Sequence, residues 1–387
     1  MRRLLLWGVS MLALASVVFV GAGWYYSEEL LTASRPEEPP FQLSVTDVDM
    51  TQGRITIETD DPDVKDLETV GLRTEAGLIL LDGVMENSPD GGIERQAALL
   101  DGEWPSPGDP AGVAVDTFAG PPDETLGLPS ETVAVPGELG ELPAWRVVPR
   151  RADTDDVWVV IVHGRGGAQT EGNRLLPTLD EMRLPSLSVA LRNDPGAPVD
   201  PDGFGRFGEA EWEDLQAAVD HLKEVEQAER IVLVGYSQGA STTLTFLRRS
   251  PDVPMVDAAI LVSPLISLDA TLDLQARDRG VPGPLVPPLL VSTRLVSSIR
   301  ADLPTDGAEH LDAVDDLPDV PMLVTHGDSD STVPVGPTRR FVDRLGDQVV
   351  YEEYPGVEHV REWNADPQRF EADLREFLDE HVLRSRG

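Results

Sequence analysis

Residues 231–247 read IVLVGYSQGASTTLTFL, and the organisation of the whole chain follows from this stretch. Ile231–Val234 is a short apolar, largely β-branched run, the mark of a buried strand. The run breaks at Gly235-Tyr236-Ser237-Gln238-Gly239 and resumes with helical spacing. A strand that turns at once into a helix leaves no room for side chains two residues before and two after its apex, which explains glycine at 235 and 239. Such a turn lifts the Ser237 hydroxyl above the strand end, and the Gln238 amide at the helix N-terminus then faces a developing oxyanion. Ser237 as a plain helix N-cap is the alternative, but that reading leaves both glycines without a purpose.

A serine hydroxyl is inert without a base, and the base needs an acid to orient it. Both partners should follow on loops after later strands, acid before histidine. After the apolar run Pro321–Thr325 stands His326-Gly327-Asp328-Ser329-Asp330-Ser331-Thr332-Val333-Pro334, which offers Asp330. After the strand-like 348–353 stands Tyr354-Pro355-Gly356-Val357-Glu358-His359, which offers His359 as base. Asp328 competes for the acid role. The register H-G-x-x-D-x-x-V-P favours Asp330 and leaves Asp328 to cap the loop. A second oxyanion donor belongs after the earlier run Val157–Val162, where His163-Gly164-Arg165-Gly166-Gly167 lets the backbone curl and aim the Arg165 amide. His163 and His326 open the two glycine turns and are expected to bond nearby loops. Trp363 reads equally as pocket wall or as packing beneath the last helix. A dinucleotide fingerprint after residue 162 fails, because Gln169 stands where the third glycine is needed. Acid clusters such as Asp60-Asp61-Pro62-Asp63 lack calcium-loop spacing and read as solvated turns.

Outward from these motifs, residues 131–387 alternate strand and helix patterns, which predicts a parallel sheet with helices on both faces. The stretch 263–318 is too long for a simple loop and reads as a lid-like insertion with helices of its own. Its run Val281–Leu290 suggests an apolar wall. Residues 41–130 form a β-rich N-terminal region, alternating at 41–45 and 54–58, with 85–130 expected to wrap around without much regular structure. Residues 27–40 are acidic and proline-rich and read as a linker.

Arg2 and Arg3 precede an uncharged stretch, Leu4–Tyr26, which as a helix of about 34 Å is long enough to cross a bilayer. The arginines before it and acids after it place residues 1–26 as a signal-anchor, single-pass, with the bulk outside the cytoplasm and Trp24, Tyr25 and Tyr26 at the far interface. A cleaved signal peptide, giving a secreted protein, is the other reading. The chain carries 69 acidic against 31 basic residues, a net charge of −38, which excludes sequence-independent nucleic-acid binding. It has no cysteine, so disulfides, thiolate metal sites and cysteine nucleophiles are excluded.

The pattern H-G-x-G-G, then G-Y-S-Q-G, then H-G-x-x-D-x-x-V-P, then G-x-x-H resembles the α/β-hydrolase superfamily over about residues 131–385. It is most similar to the dienelactone-hydrolase and prolyl-oligopeptidase-like branches, and to serine hydrolases anchored by one N-terminal span. The resemblance implies an eight-stranded, mostly parallel sheet and hydrolysis without a cofactor. A departure is Leu191-Arg192-Asn193-Asp194, where relatives carry a D-x-R-G-x-G-like turn, so substrate preference does not transfer. The expected activity is cleavage of a small-molecule acyl ester by Ser237, Asp330 and His359, with Arg165 and Gln238 as oxyanion donors. A peptidase on the same residues is the alternative, and a non-catalytic surface binding protein a third.

Overall fold

The computed structural model describes residues 19–34, 40–87, 92–150, 156–304 and 306–384, with backbone alone for 84–87. Residues 19–31 are helical, here α1. Short strands then close into a barrel: β1 (Leu43–Asp49), β2 (Arg54–Glu58), β3 (Val70–Thr74), β4 (Gly77–Asn87), β5 (Ile93–Gly102) and β6 (Pro110–Ala114). They pair in the order β1-β2-β5-β4-β3-β6, β6 returns to β1, and all neighbours are antiparallel. Closure leaves no exposed sheet edge. Val45, Ile55, Ile57, Leu72, Ile79 and Leu81 fill the interior. The expectation of irregular chain over 85–130 is corrected, because this stretch supplies β5 and β6. The alternation was hidden by Arg95, which points inward like an apolar residue. Its guanidinium is buried and donates to the carbonyls of Val64 (2.7 Å) and Glu68 (2.5 Å).

From Ser130 the chain builds one eight-stranded sheet. Its strands are β7 (Ser130–Gly137), β8 (Gly140–Val147), β9 (Val157–Val162), β10 (Ser186–Val189), β11 (Arg230–Tyr236), β12 (Val256–Val262), β13 (Met322–Gly327) and β14 (Val349–Tyr354). They lie in the order β14-β13-β12-β11-β9-β10-β8-β7. Only β8 runs against its neighbours; the other pairs are parallel. Parallel strands are covered on both faces and so read as unbroken apolar runs. In β9, Trp158, Val160 and Val162 enter one core, while Val157, Val159 and Ile161 enter the other. The helices that cover these faces are α2 (Leu176–Glu181), α3 (Trp212–Glu224), α4 (Gln238–Arg249), α5 (Leu268–Asp278), α6 (Val286–Ala301), α7 (Val335–Leu345) and α8 (Pro367–Leu378). Helix α3 buries Leu215, Val219 and Leu222 against one face, and α8 buries Phe370, Leu374 and Phe377 against the other. The insertion after β12 does contain helices, α5 and α6.

Two N-terminal expectations change. Residues 27–34 are not a linker: they end α1 and are stitched to the sheet domain. Leu30 and Leu31 are buried with Phe207, Leu265 and Leu303, and Ala33 donates to the carbonyl of Gly203 (3.4 Å). An acid-rich composition concealed two adjacent leucines that a neighbouring surface covers. Residues 35–39 lie outside the described residues. Of the expected span Leu4–Tyr26, residues 4–18 also lie outside them; among the described residues no helix is long and apolar enough to cross a membrane. Trp24 does not sit free as a belt residue on all sides: the Arg300 guanidinium stacks over its ring at 4.3 Å.

Candidate active site

The carboxyl ends of β9, β11, β13 and β14 meet along one edge of the sheet, and each delivers one part of the site. At the end of β11 the backbone of Ser237 has φ 49° and ψ −110°, the strained corner expected of the turn. Both flanking glycines are sterically required. A Cβ on Gly235 would lie 2.5 Å from the Gly239 carbonyl oxygen, and one on Gly239 would run into the carbonyl of Val162. A Cβ on Gly164 would lie 3.1 Å from that of Ser237, so the β9 loop and the serine turn touch directly.

The structure brings Ser237, His359 and Asp330 into one hydrogen-bonded line. Ser237 Oγ is 2.8 Å from His359 Nε2, and His359 Nδ1 is 2.6 Å from Asp330 Oδ2. Asp330 Oδ2 also takes a proton donor from His326 Nε2 at 3.0 Å, while its Oδ1 accepts the amides of Thr332 (2.8 Å) and Val333 (2.7 Å). Burial by itself would raise this carboxyl, but the donors from His326 and His359 outweigh it and hold the group well below the usual carboxylate range. Four donors and no acceptor mean that the carboxylate is ionised and its orientation is fixed. Asp328 is exposed and accepts the Gly356 amide at 2.6 Å, the loop-capping place expected for it.

His326 is more than a loop residue. Thr338 Oγ1 lies 2.9 Å from its Nδ1, which leaves Nε2–H for Asp330. His163 Nε2 donates to Asp194 Oδ2 (2.7 Å) and Nδ1 to the Gly164 carbonyl (2.8 Å). Burial opposes the charge on this ring, yet the Asp194 carboxylate prevails and raises its pKa to about 9. Asp194 therefore anchors an imidazolium under the loop that carries Arg165. Neighbouring Arg192 is tied to Asp214 through Nε (2.9 Å) and a terminal nitrogen (3.0 Å). Among the described residues, the backbone amides of Arg165 and Gln238 donate to no protein acceptor.

Several participants had no signal in the sequence. Arg361 spans from the barrel to the histidine loop: Nε and a terminal nitrogen each donate to Asp63 at 2.7 Å, and the other terminal nitrogen donates to the His359 carbonyl at 2.9 Å. Asp63, expected in a solvated turn, is thus a tether. Asn364 Nδ2 donates to the carbonyls of Thr69 and Val115 and to Thr117 Oγ1. Ser263 accepts the Val360 amide (3.1 Å) and donates to the buried Glu362 (2.7 Å). Trp363 packs edge-on against Phe118 within the α8 core, the packing place beneath the last helix that was one of its two expected roles.

Two clefts adjoin the site, and Arg165 lines both. One, about 500 Å³ including its open mouth, runs under the insertion and is lined by Tyr26, Leu272, Ala276, Leu289 and Leu290. The other is polar, bordered by Asn193, Asp194, Glu211 and Gln238. The Arg165 side chain closes the wall between them, donating to the carbonyls of Glu29 (3.2 Å) and Thr32 (2.8 Å).

A family profile described as serine aminopeptidase, S33, matches residues 156–318, less than half the chain. The match includes the Ser237 turn but ends before Asp330 and His359. No curated protein in the comparison matches. Among solved structures, the esterase Pf2001 of Pyrococcus furiosus superimposes with a TM-score of 0.53 at 18% identity, covering 67% of this chain and 94% of that one. A second crystal form of it gives 0.52 at 20% identity, with 67% and 95% covered. Sheet order, strand–turn–helix corner and these likenesses agree: the chain has the α/β-hydrolase fold.

Proposed function

We propose that this protein is a membrane-anchored serine hydrolase that cleaves carboxylic esters through an acyl-enzyme on Ser237. The observation that carries the reading is the line Ser237 Oγ, His359, Asp330, at 2.8 and 2.6 Å. His359 Nε2 takes the Ser237 proton as Oγ attacks the ester carbonyl. The amides of Arg165 and Gln238 bind the oxyanion. The imidazolium returns the proton to the leaving alcohol as the C–O bond breaks. Water then adds to the acyl-enzyme by the same relay and releases the acid. Asp330 keeps the ring in the tautomer that offers Nε2 as base. The uncharged stretch Leu4–Tyr26 supports the anchor, which would hold the hydrolase outside the cytoplasm.

An aminopeptidase reading has the family profile in its favour. It needs a carboxylate for the substrate ammonium, and the acids along both clefts are already engaged. Glu29 pairs with Arg279 (2.6 Å), Glu211 accepts the amides of Arg206 and Gly208, and Asp194 holds His163. That occupancy and the apolar cleft favour esters.

A fluorophosphonate probe mapped by mass spectrometry tests the reading. Labelling is expected at Ser237 and absent in His359→Ala, with Ser237→Ala losing about 10⁴- to 10⁶-fold in kcat. Near-normal ester hydrolysis by Ser237→Ala would sink it. Faster turnover of aminoacyl p-nitroanilides than of p-nitrophenyl esters would favour the peptidase.

A further inference from the structure

Helices α1 and α6 lie in direct contact. Gly23 packs so closely on Ser292 that a side chain there would overlap it, and Ser292 Oγ donates to the Phe19 carbonyl at 2.7 Å. At the other end Arg300 stacks on Trp24, pairs with Glu28 and donates to Ser27 Oγ at 2.7 Å. Away from this seam both helices expose apolar side chains. On α6 the i, i+4, i+8 stripe Val291, Leu295 and Ile299 is 63%, 50% and 77% exposed; on α1 Val20, Trp24 and Tyr25 are 55%, 55% and 65% exposed. Among the described residues the other exposed large apolar side chains, such as Met50, Val199 and Val225, stand apart along the chain, which is ordinary.

Acidic residues are sparse on the same surface, whose charges are Arg279, Arg294 and Arg300 with Glu28 and Glu29 at the end of α1. Residues 279–301 and 19–27 contain no Asp or Glu, in a chain that carries 69 of them. The uncharged sequence 4–18 leads straight into α1. Trp24 and Tyr25 are the ring types that settle between hydrocarbon and headgroups. A second copy is a poor occupant, since each carries a net charge of −38.

We propose that the exposed faces of α1 and α6 dock on a lipid bilayer, and that the cleft between these helices receives the acyl chain of an ester drawn from it. Tyr26 and Leu30 on one side and Leu289 and Leu290 on the other flank the cleft, and Arg165 also lines it. An acyl chain entering between the helices would thus lead its carbonyl toward the oxyanion loop. The docking half stands alone; the acyl-chain half rests on the ester-hydrolase reading. The acidic body makes zwitterionic lipid the fitting surface.

The absence of cysteine makes a test clean: Leu295→Cys, Ile299→Cys and, as control on β14, Val350→Cys each take a single nitroxide label in the full chain. In phosphatidylcholine vesicles, labels at 295 and 299 are expected to favour collision with oxygen over a water-soluble nickel chelate, by about fivefold relative to the label at 350. Equal accessibility at all three positions overturns docking. Shielding from both quenchers with spin–spin broadening means that a second copy covers the face, and also overturns it. The combined change V291E/L295E/I299E is expected to keep hydrolysis of dissolved p-nitrophenyl acetate within about twofold and to lower that of a vesicle-borne long-chain ester about tenfold. Equal effects on both esters overturn the acyl-chain half. If the wild type hydrolyses neither, that half falls together with the ester reading, while the label depths still decide docking.

Discussion

Asp330 shows how much one residue's surroundings decide. All four of its acceptor positions are filled, two by backbone amides and two by imidazole N–H groups. Asp330→Asn turns an N–H toward a donor and forces the His359 ring into the wrong tautomer. A kcat loss of about 10⁴ with the fold intact is expected, read by ester kinetics beside circular dichroism. Arg361 acts one step further out, through the His359 carbonyl. Arg361→Ala should lower kcat about tenfold with KM little changed, because the base is less well aimed. Asp63→Ala should do the same, and the double variant should add nothing, since both break one linkage. Losses that multiply would mean two separate roles. Ser237, Asp330 and His359 were legible because each announces itself in a local motif. Arg361 and Asp63 were not, because 298 positions separate them along the chain and only folding brings them together.

At the level of elements, the β11–α4 corner depends on backbone contact. Gly239→Ala would drive a methyl group into the Val162 carbonyl, a clash with rigid chain rather than with a movable side chain. The variant should fail to accumulate as folded protein, or melt far below the wild type by calorimetry. Ser237→Ala changes no contact of this kind and should melt within a few degrees of it. The strands of the sheet were easy to find because burial on both faces makes them continuous apolar runs. The barrel strand β5 was hidden by Arg95, whose charge is satisfied by carbonyls that no periodicity reveals.

For the molecule as a whole, two buried histidines shape stability against pH from opposite sides. His163 is raised to about 9 by Asp194, so its contribution is complete below the unfolded value near 6.5 and is lost as pH rises through about 9. The loss over that window is about 3 kcal/mol. His310 is buried and lowered to about 3, first by burial and then by Arg248 and Arg249. It stays neutral in the fold, so stability falls as pH drops from about 6.5 toward 3 while the unfolded chain takes up the proton. Denaturant melts from pH 4 to 9 should peak near 6.5, with the alkaline slope reduced in His163→Gln and the acid slope in His310→Gln. Unchanged slopes in both variants would assign the pH dependence to other groups. Self-repulsion from the net charge of −38 should also make the midpoint rise with sodium chloride.

The sequence by itself determined what is written locally: the strand–glycine–serine–glycine–helix corner, the order of acid and histidine, the alternation that makes a parallel sheet, and the acidic surface. These follow from steric limits and periodicity within a few residues of chain. Tertiary structure alone decided the rest. An uncharged N-terminal run reads the same whether it meets lipid or another helix, and only the fold shows α1 seated on α6 beside the cleft. Likewise the barrel's grip on the histidine loop through Asp63 and Arg361 exists because two distant surfaces fit, and no local pattern encodes that meeting.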